Sequence, residues 1–509
     1  MSIERKPVAF GDLRGWMQAL KSAGELQEID AEVDWNIELG TILRMAQGPG
    51  TGPALVFNNI KDYNKPDSRC RRIFAGGLGS YSRVAMMLGL PPDTHPRELV
   101  KIGRNVLGQG IPPRIVNTGP CKENVLIGKD VDLHSLPTPY WNRMDGGRYL
   151  LTYGGVVTKD PTTGIMNVGI YRGMVAARDQ IPILMWRAQH IGHHATAWEQ
   201  GGSSKMPIAV AIGWEPSLGF TGGTPVPKGM CEYDAMGAIR GEPVDLVKCE
   251  TVDLYVPASA EIVIEGYLDL DPATYVMEGP FAEFTGYVAG DRSPKPTIFV
   301  TAITHRNDPI LRGTIEGALP GSYSENAISS SIMRAGTAWN VLDRAGVPGV
   351  TDVWCMPVHA GMNLLIQMKQ SYRNQAKQAA NAIWGSAAAH VRYKHITVVD
   401  DDIDIHDYAA VDWAIAYRVN AGENDVLIMP STFGAGLDPS VRRRDRNAAL
   451  FGTGKWNRVL IDATINLDYD PDPDLGGLRF PPTVWPEQRD VDAAQARWSE
   501  LGFDKPKTG

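Results

Sequence analysis

The alternation of apolar and polar positions predicts a layered α/β arrangement at the start of the chain. Residues 12–24 place apolar side chains on one face of a helix, with Asp12 as a suitable N-cap and Gly24 suited to the left-handed position at the C-terminus. After this helix, "LQEIDAEVD" alternates like a strand, "NIELGTILRMAQ" has helical periodicity, and "PALVFNNI" is a short apolar run typical of a strand. We therefore predict an N-terminal α/β domain over residues 1–115.

Helical periodicity then fades, and glycine, proline and β-branched residues dominate the middle of the chain. Five segments have strand character: "YLLTYGGVVTKD", "MNVGIYRGMVA", "MPIAVAIGW", "AEIVIEGYLDL" and "KPTIFVTAITH". A series of spaced strands of this kind predicts a β-rich domain or barrel, here over residues 116–318.

Helical patterns return in the last third of the chain. The segment "ENAISSSIMRAGTAWNVLDRAG" predicts a long linker helix within residues 319–346. Beyond it, the strand-like "VTDVWCMPV", "NLLIQMKQ", "HITVVDDDIDI" and "DVLIMP" alternate with helical segments, which predicts a second α/β domain over residues 347–509 with a Pro-rich, extended C-terminal arm. The predicted fold class is therefore α/β, in an α+β multidomain chain.

Composition narrows the possible partners and the location of the protein. The 509 residues are 43% hydrophobic and 21% charged with a net charge of -8, which argues against a nucleic-acid partner. The N-terminus lacks the apolar segment of a signal peptide, and no run of about 18 apolar residues could span a membrane. We expect a cytoplasmic protein with no membrane partner. The five scattered cysteines contain no CxxC pair, so we expect reduced thiols.

Polar residues in the predicted β-rich domain form a possible metal site. Asn167 lies in a strand-like segment, His190 begins "HIGHHATAWEQ", and Glu232 begins a predicted helix. Oxygen and nitrogen ligands of this kind suit manganese or magnesium better than zinc. Taken singly, each residue also has an ordinary role: a turn for the asparagine and a helix-dipole contact for the glutamate. We interpret His193 and His194 as a solvated face.

The decapeptide "EGPFAEFTGY" carries two carboxylates in apolar surroundings. Glu278 and Glu283 flank Phe281, so burial would raise their pKa values unless a cation is near. Arg172 is a candidate counter-charge. Two acids that share one arginine can divide into an acid and an anion, as proton transfer requires. On a regular strand Arg172 would face away from Asn167, and a bulge at Gly169 would bring the two to one face.

Several segments in register resemble one known family. "NVGIYR", "QHIG", "EGPFAEFTGY" and "VTAITHRNDPIL", in this order, are similar to signature segments of the UbiD-type decarboxylases. These enzymes use prenylated FMN to remove or exchange carboxylate groups on unsaturated and aromatic acids. The likeness extends over nearly the whole chain, including "LPTPYWNRMDGGRYL" and "VVDDDIDI". It implies an N-terminal α/β region, a split β-barrel cofactor domain related to flavin reductases, a linker helix and a C-terminal α/β domain that dimerises.

The resemblance also implies roles for individual residues. Glu278, Arg172 and Glu283 match the catalytic network of the family, with Glu278 as proton donor. Asn167, His190 and Glu232 match ligands of a Mn²⁺ or Mg²⁺ ion that holds the cofactor phosphate, often beside K⁺. The cofactor-binding set that the resemblance implies is Asn167, Val168, Ile170, Arg172, Gln189, His190, Glu232 and Lys377. Two departures from the family are Ala282, where glycine is common, and Asn374-Gln375, where Gly-His is common before the lysine.

The resemblance places the substrate pocket in two later segments, "GALPGSYSENAISSS" and "PSTFGAGLDPS". Their candidate substrate residues are Ser322, Tyr323, Ser324, Asn326 and Phe433, with no cluster of positive charge. This inventory favours an aromatic acid with a neutral ring heteroatom, such as a pyrrole or indole carboxylate. Phenolic, polycyclic and acrylic-type acids stay open, and helix capping is an equally good interpretation of the serines.

The implied partners are the aromatic carboxylate, carbon dioxide, a flavin prenyltransferase that supplies the cofactor, and a second copy of the chain. Two other classes of protein fit the same fold. An FMN-dependent reductase would leave the two glutamates unexplained, and no glycine-rich dinucleotide fingerprint follows a first strand. A non-catalytic relative would be favoured by the loss of Glu278, Arg172 or Glu283, but all three are present.

Overall fold

The computed structural model describes residues 4–106, 108–223, 226, 229–389, 391–423, 425–446 and 454–503. The first three residues of the predicted N-terminal domain and the last six of the predicted C-terminal domain lie outside these ranges. The described chain is a multidomain mixture of helices and sheets, as the sequence predicts. None of its helices combines the length and apolar character needed to cross a membrane.

The N-terminal region is built on a four-stranded mixed sheet. Its strands, in sheet order, are Leu26–Ile29, Ala54–Phe57, Arg72–Ala75 and Ile310–Arg312. The last strand comes from far along the chain and pairs in parallel with the third, so this sheet forms only when the central region has folded back. The helices of this region are Leu13–Ser22, Glu38–Gln47, Tyr81–Met87 and Pro96–Val106.

The first helix shows how closely local sequence sets an element. Asp12 is its N-cap, and the carboxylate accepts a hydrogen bond of 2.8 Å from the amide of Gly15. Gly24 follows the helix with a φ of +73°, in the left-handed region that favours glycine. Both of these predictions are confirmed, and the apolar face of the helix, Leu13, Trp16 and Leu20, is buried.

The central region is dominated by a seven-stranded antiparallel sheet. Its strands, in sheet order, are Gln180–Pro182, Thr297–His305, Ile262–Asp269, Lys205–Ile212, Gly155–Lys159 and Met166–Gly169, with Asn124–Ile127 also pairing with Thr297–His305. Smaller sheets flank it and are formed by Arg114–Val116, Asp245–Lys248 and Tyr255–Pro257, by Tyr149–Leu151 and Gly173–Met174, by Val276–Glu278 and Ser293–Lys295, by Phe281–Ala282 and Val288–Ala289, and by Ala318–Leu319 and Ser322–Tyr323. Its helices are His190–Gln200, Ser217–Gly222 and Glu232–Arg240.

Two details of the central region differ from the prediction. The segment "YLLTYGGVVTKD" forms two strands in different sheets rather than one. No bulge occurs at Gly169: the pairing with Gly155–Lys159 keeps a regular register, and the strand ends at this residue. The chain is therefore free to turn before Arg172, so the end of the strand, and not a bulge, sets the direction of this side chain.

A 20-residue helix, Glu325–Arg344, connects the central and C-terminal regions. Its first residue, Glu325, is fully buried and accepts hydrogen bonds from the amides of Gly76 and Leu78 at 3.0 and 3.1 Å. The same carboxylate pairs with Arg312, on the strand that completes the N-terminal sheet. Burial alone would raise the pKa of Glu325, but the charge and hydrogen bonds of Arg312 keep it below its ordinary value. The start of the linker helix is thus fixed to the N-terminal sheet.

The C-terminal region contains a five-stranded mixed sheet. Its strands, in order, are Val350–Trp354, Asn363–Met368, His395–Asp400, Lys455–Ala463 and Val426–Phe433. The helices Gln375–Trp384 and Tyr408–Arg418 accompany it, and an irregular arm leads to a last helix, Gln488–Ala496, which has no buried residue. This irregular segment coincides with the predicted extended arm, which stays a prediction.

Candidate functional site

Three short elements bring Glu278, Glu283 and Arg172 together. Glu278 ends the strand Val276–Glu278, Glu283 directly follows the strand Phe281–Ala282, and Arg172 lies in the turn before Gly173–Met174. All three side chains are buried, with residue exposures of 0%, 7% and 8% respectively. Charged side chains are almost never buried unless they are paired, so the three must act as one electrostatic unit.

The guanidinium of Arg172 contacts both carboxylates. Its Nη1 nitrogen donates to Glu283 Oε1 at 2.5 Å, and its Nη2 nitrogen donates to Glu278 Oε2 at 3.0 Å. Nε is 2.9 Å from Glu278 Oε1, close enough for an ion pair although it is not aligned as a hydrogen bond. Burial alone would lower the pKa of Arg172, but Glu283 and Glu278 outweigh burial and hold it above its ordinary value.

A tyrosine that the sequence did not single out holds Glu278. The hydroxyl of Tyr149 lies 2.7 Å from Glu278 Oε1, as its donor, and 3.0 Å from the carbonyl of Pro280. The rings of Tyr149 and Phe281 lie 4.3 Å apart. Burial and the neighbouring Glu278 raise the pKa of Tyr149, so its hydroxyl keeps its proton. In the sequence Tyr149 looks like any aromatic core residue of a strand, so no pattern indicated this contact.

A third buried carboxyl, Asp145, orders the loop that contains Ala282. Its two oxygens accept hydrogen bonds from the amide of Ala282 at 2.8 Å and from the amide of Asn142 at 3.0 Å. Burial raises the pKa of Asp145 to about 6, although these amides oppose the shift. Asp145 thus fixes the backbone between the two glutamates.

Asn167, His190 and Glu232 also converge, as predicted. His190 and Glu232 each begin a helix, and Asn167 lies on the last strand of the central sheet. His190 Nδ1 is 3.0 Å from Asn167 Oδ1 and 4.0 Å from Glu232 Oε1. The other oxygen of Glu232 accepts a hydrogen bond of 2.7 Å from the amide of Val168.

The electrostatics of this cluster suit a cation. Burial raises the pKa of Glu232 to about 7 despite the amide of Val168, and burial lowers the pKa of His190. The Asn167 side chain is buried, and its Nδ2 has no hydrogen-bond partner among the described residues. A buried carboxylate, a neutral imidazole and an amide oxygen within 4.0 Å could ligate Mn²⁺ or Mg²⁺. Searched over the described chain, no group of three or more His, Cys, Asp and Glu side chains could do so without the amide.

The other predicted cofactor residues fall into two places. Val168 and Ile170 lie beside Asn167, and the amide of Ile170 donates to the carbonyl of Gly222 at 3.2 Å. Gln189 precedes His190, and its side-chain oxygen accepts from the amide of Trp186 at 2.8 Å. Lys377 instead lies on the C-terminal helix Gln375–Trp384, where its Nζ contacts Asn374 Oδ1 at 2.9 Å. The structure does not place it with the others.

The histidines next to His190 have different environments. His193 is exposed, as predicted, whereas the prediction of a surface position for His194 is wrong. His194 is 8% exposed, and its Nδ1 lies 2.9 Å from Thr158 Oγ1, which is buried in the central sheet. A helix that packs against a strand must bury one face, and position 194 falls on it.

The predicted substrate residues make different contacts in the structure. Ser324 is the N-cap of the linker helix and accepts from the amide of Ala327 at 3.1 Å, so its capping interpretation is confirmed. Ser322 donates to the carbonyl of Arg44 at 2.9 Å, and the amide of Tyr323 donates to the carbonyl of Gly48. Phe433 ends a C-terminal strand, with its carbonyl 3.2 Å from Arg458.

Asn326 is the predicted substrate residue with a partner near the glutamates. Its Nδ2 donates to Glu316 Oε1 at 3.1 Å. Burial, reinforced by the charge of Glu283, raises the pKa of Glu316 to about 7. The sequence analysis missed Glu316, although an acid inside the otherwise apolar "GTIEGAL" was a usable signal.

Two arginines near Glu316 were also not predicted from the sequence. Arg334 of the linker helix and Arg392 come close enough to Glu316 for an electrostatic interaction, and Arg392 also to Glu283. Burial and mutual repulsion lower the pKa of Arg392, whose guanidinium carbon stacks 4.2 Å from the ring centre of Phe284. These arginines come from segments other than the two that the resemblance gives for the substrate pocket, so the inventory of those two segments did not include them.

Models of known protein families match most of the chain. The N-terminal, Rift-related and C-terminal domains of 3-octaprenyl-4-hydroxybenzoate carboxy-lyase match residues 17–102, 114–319 and 328–463. The Rift-related match contains the carboxylate pair, its arginine and the Asn167 cluster.

Individual proteins are similar over nearly the same length. The pyrrole-2-carboxylic acid decarboxylase of Pseudomonas aeruginosa is 33% identical over 422 residues, covering 80% of this chain and 83% of that protein. The UbiD-class enzyme HmfF from Pelotomaculum thermopropionicum, in complex with FMN, is 30% identical with a TM-score of 0.78, over 95% of this chain and 99% of its own. An evolved dimeric form of it in complex with prFMN is 28% identical with a TM-score of 0.74, over 92% and 98%. Vanillic acid decarboxylase of Sedimentibacter hydroxybenzoicus, in closed form, is 29% identical with a TM-score of 0.83, over 97% and 99%.

The Tyr149 hydroxyl is expected to stabilise the buried carboxylate. The substitution Tyr149→Phe leaves Glu278 Oε1 without this donor, so the free energy of unfolding should fall by about 1–3 kcal/mol in urea denaturation. The matched control is Tyr81→Phe, whose hydroxyl meets the neutral Ser331 at 3.4 Å and should matter less. Equal losses in the two variants would show that Tyr149 contributes nothing specific to Glu278.

Proposed function

Because this chain belongs to the UbiD family of carboxy-lyases, we propose that it catalyses the reversible, non-oxidative decarboxylation of a heteroaromatic acid of the pyrrole or indole type. Its membership makes the chain an aromatic acid decarboxylase in the broad sense. The observation that carries the proposal is the buried Arg172 between Glu278 and Glu283, with contacts of 2.5 to 3.0 Å. The similarity to a pyrrole-2-carboxylic acid decarboxylase supports the choice of substrate class.

The reaction needs an electron sink that side chains do not provide. Loss of carbon dioxide from an sp² carbon leaves an electron pair that no amino acid stabilises adequately, and such chemistry belongs to cofactors. When bound, prenylated FMN supplies this sink. The flavin complexes known for a similar enzyme support this choice of cofactor.

Arg172, Glu283 and Glu278 have separate roles in the proposed reaction. Arg172 orients the substrate carboxylate and compensates the charge of Glu283, which holds the guanidinium in place. Glu278 donates a proton to the carbon that has lost its carboxylate. Full burial of Glu278 and its hydrogen bond from Tyr149 hold this carboxyl group in a fixed position shielded from water, where a general acid can act.

Asn167, His190 and Glu232 are the proposed ligands of a Mn²⁺ or Mg²⁺ ion that secures the cofactor phosphate. A buried glutamate whose pKa is raised by burial, beside the imidazole of His190 and the amide oxygen of Asn167, lacks a cation that would compensate its charge. A neighbouring K⁺ that shares Glu232 belongs to the same proposal. Val168, Ile170 and Gln189 surround this cluster as cofactor contacts. Lys377 stays a prediction, and its contact with Asn374 gives it no support.

The proposed partners follow from this chemistry. Carbon dioxide is the co-product, and a flavin prenyltransferase must supply the cofactor. Phenolic acids are the alternative substrates, since vanillic acid decarboxylase is among the similar structures. The domain division at residues 115, 318 and 346 stays a prediction.

We also propose a homodimer formed through the C-terminal region. Trp413 and Tyr417 are exposed on one helix, and Ile428 is exposed on the edge strand Val426–Phe433. Exposed apolar groups beside an unpaired strand edge are typical of an interface. Sedimentation equilibrium should give twice the mass of the chain, and a monomer at micromolar concentration would contradict the proposal.

Replacement of the proton donor should abolish catalysis without releasing the cofactor. Glu278→Gln keeps the shape of the side chain but cannot deliver the proton, so carbon dioxide release should fall by at least about 100-fold. Deuterium exchange from D₂O into the heteroaromatic product should be lost with it. Glu199→Gln, at an exposed pair with Arg187, is the control. Retained turnover in the Glu278 variant would remove this residue from the acid role.

Loss of the imidazole ligand should release metal and cofactor together. His190→Ala should abolish the flavin absorbance and the bound manganese measured by elemental analysis. His193→Ala removes an exposed imidazole from the same helix and should retain both. Full cofactor occupancy in the His190 variant would contradict the proposed ligand set.

A further inference from the structure

The proton that Glu278 donates in the proposed reaction has to be replaced after each turnover. Glu278 has no exposed surface, and its two oxygens contact the Tyr149 hydroxyl and the Arg172 guanidinium. Both partners are buried and hold their protons, because burial raises the pKa of Tyr149 and an arginine stays charged at any working pH. Glu278 therefore needs a connection to water through another neighbour.

The strand Ser293–Lys295 offers this connection. It pairs antiparallel with Val276–Glu278, and Glu278 lies directly opposite Ser293. Successive side chains on a strand point to opposite faces, so Glu278, Ser293 and Lys295 share one face of this small sheet. Lys295 is the diagonal neighbour of Glu278, at a separation of about 7–8 Å that a lysine side chain can span.

The side chain of Lys295 extends toward the residue opposite Glu278. Its Nζ donates a hydrogen bond of 2.8 Å to Ser293 Oγ. Ser293 and Lys295 are half-buried, whereas Pro294 between them is exposed, so the lysine lies on the covered face of the strand. Lysine on an edge strand often prevents pairing with another chain, but a lysine with that role extends into water. Lys295 instead joins the solvent with the surroundings of Glu278.

The electrostatic surroundings of Lys295 favour the release of a proton. Burial lowers the pKa of Lys295, while Glu278 opposes this shift. Arg172 reinforces the lowering, and Asp291 opposes it. The ammonium group is therefore a stronger acid than that of a solvated lysine, and Glu278 is the charge that acts on it most strongly.

We propose that Lys295 returns a proton to Glu278 after each turnover, through the hydroxyl of Ser293. An N–H bond of the ammonium breaks as Ser293 Oγ takes that proton, and the original O–H bond of Ser293 breaks as Glu278 takes the other. The products are a neutral amine and a carboxylic acid, and the amine then takes a proton from water or a buffer acid.

The transfer requires one local movement. The Ser293 hydroxyl donates to the carbonyl of Asp291 at 3.2 Å, and it has to turn from there toward Glu278. The inference rests on the proposed function. Lys295 does not touch the substrate: it is a positioning residue that acts through Glu278.

Comparison of the first turnover with the later ones tests the inference on the prenylated-FMN holoenzyme. Lys295→Met should release the first equivalent of carbon dioxide from pyrrole-2-carboxylate at the unsubstituted rate, because Glu278 begins the reaction as the acid. Later turnovers should be at least about tenfold slower. Added methylamine should restore their rate, because a small amine can supply the missing proton donor.

Three further variants separate proton transfer from charge and from stability. Lys295→Arg keeps the positive charge but holds its proton at neutral pH, so its later turnovers should stay slow. Ser293→Ala removes the hydroxyl and should give the same fast first and slow later turnovers, which also covers the case that the lysine variants do not fold. Lys205→Met removes an exposed lysine from a central strand and should change neither phase.

The outcomes distinguish this inference from the proposed function. Equal slowing of first and later turnovers in Lys295→Met, unchanged later turnovers, or full activity of Lys295→Arg would overturn the relay. Infrared spectroscopy without substrate follows the carboxyl band that Glu278→Gln removes, and its proton should exchange with D₂O more slowly in Lys295→Met. If the unsubstituted holoenzyme releases no carbon dioxide, the decarboxylase assignment fails, and slower exchange still supports the connection whereas equal exchange overturns it.

Discussion

The pairing of one buried arginine with two buried glutamates is the constraint on which the site depends. Arg172, Glu278 and Glu283 are all more than nine-tenths buried, and none of them would be tolerated there alone. Removal of one partner from such a group typically costs about 3–5 kcal/mol, because a charge is left buried without compensation. The three elements that carry these residues must therefore meet in one geometry for the region to fold. The geometry proposed for catalysis is also the one that stability requires.

The short segment from Asn167 to Arg172 links the two halves of the site. Asn167 lies on the last strand of the central sheet and faces His190 and Glu232, while Arg172 lies after the strand has ended. The change of direction at Gly169 lets six residues place Asn167 beside the proposed metal ligands on one side and Arg172 beside the carboxylates on the other. One strand end therefore connects the Asn167 cluster with the carboxylate pair.

Local patterns predicted the parts of the fold that local interactions decide. Asp12 caps its helix and Glu232 begins one, because capping and dipole effects act within a few residues of the chain. The two acids Glu278 and Glu283 lie among aromatic residues in the sequence. Together with Arg172, they predicted the carboxylate pair. Tyr149, Glu316 and Arg392 were missed, because each reaches the site from a segment whose own pattern is that of a core strand or an ordinary loop. Their roles arise from tertiary contacts over long sequence separations, such as the 129 positions between Tyr149 and Glu278. His194 was misjudged for the same reason, since the buried face of its helix is set by the strand against which it packs.

The central claim is that the buried triad performs decarboxylation on a prenylated flavin. The most direct test is to co-express the chain with a flavin prenyltransferase, identify the released cofactor by mass spectrometry, and follow ¹³C-labelled carbon dioxide from carboxyl-labelled pyrrole-2-carboxylate and a panel of indole and phenolic acids. We expect the mass of prenylated FMN together with labelled carbon dioxide from an N–H heteroaromatic acid. Plain FMN, with no carbon dioxide from any acid even after oxidative activation, would contradict it.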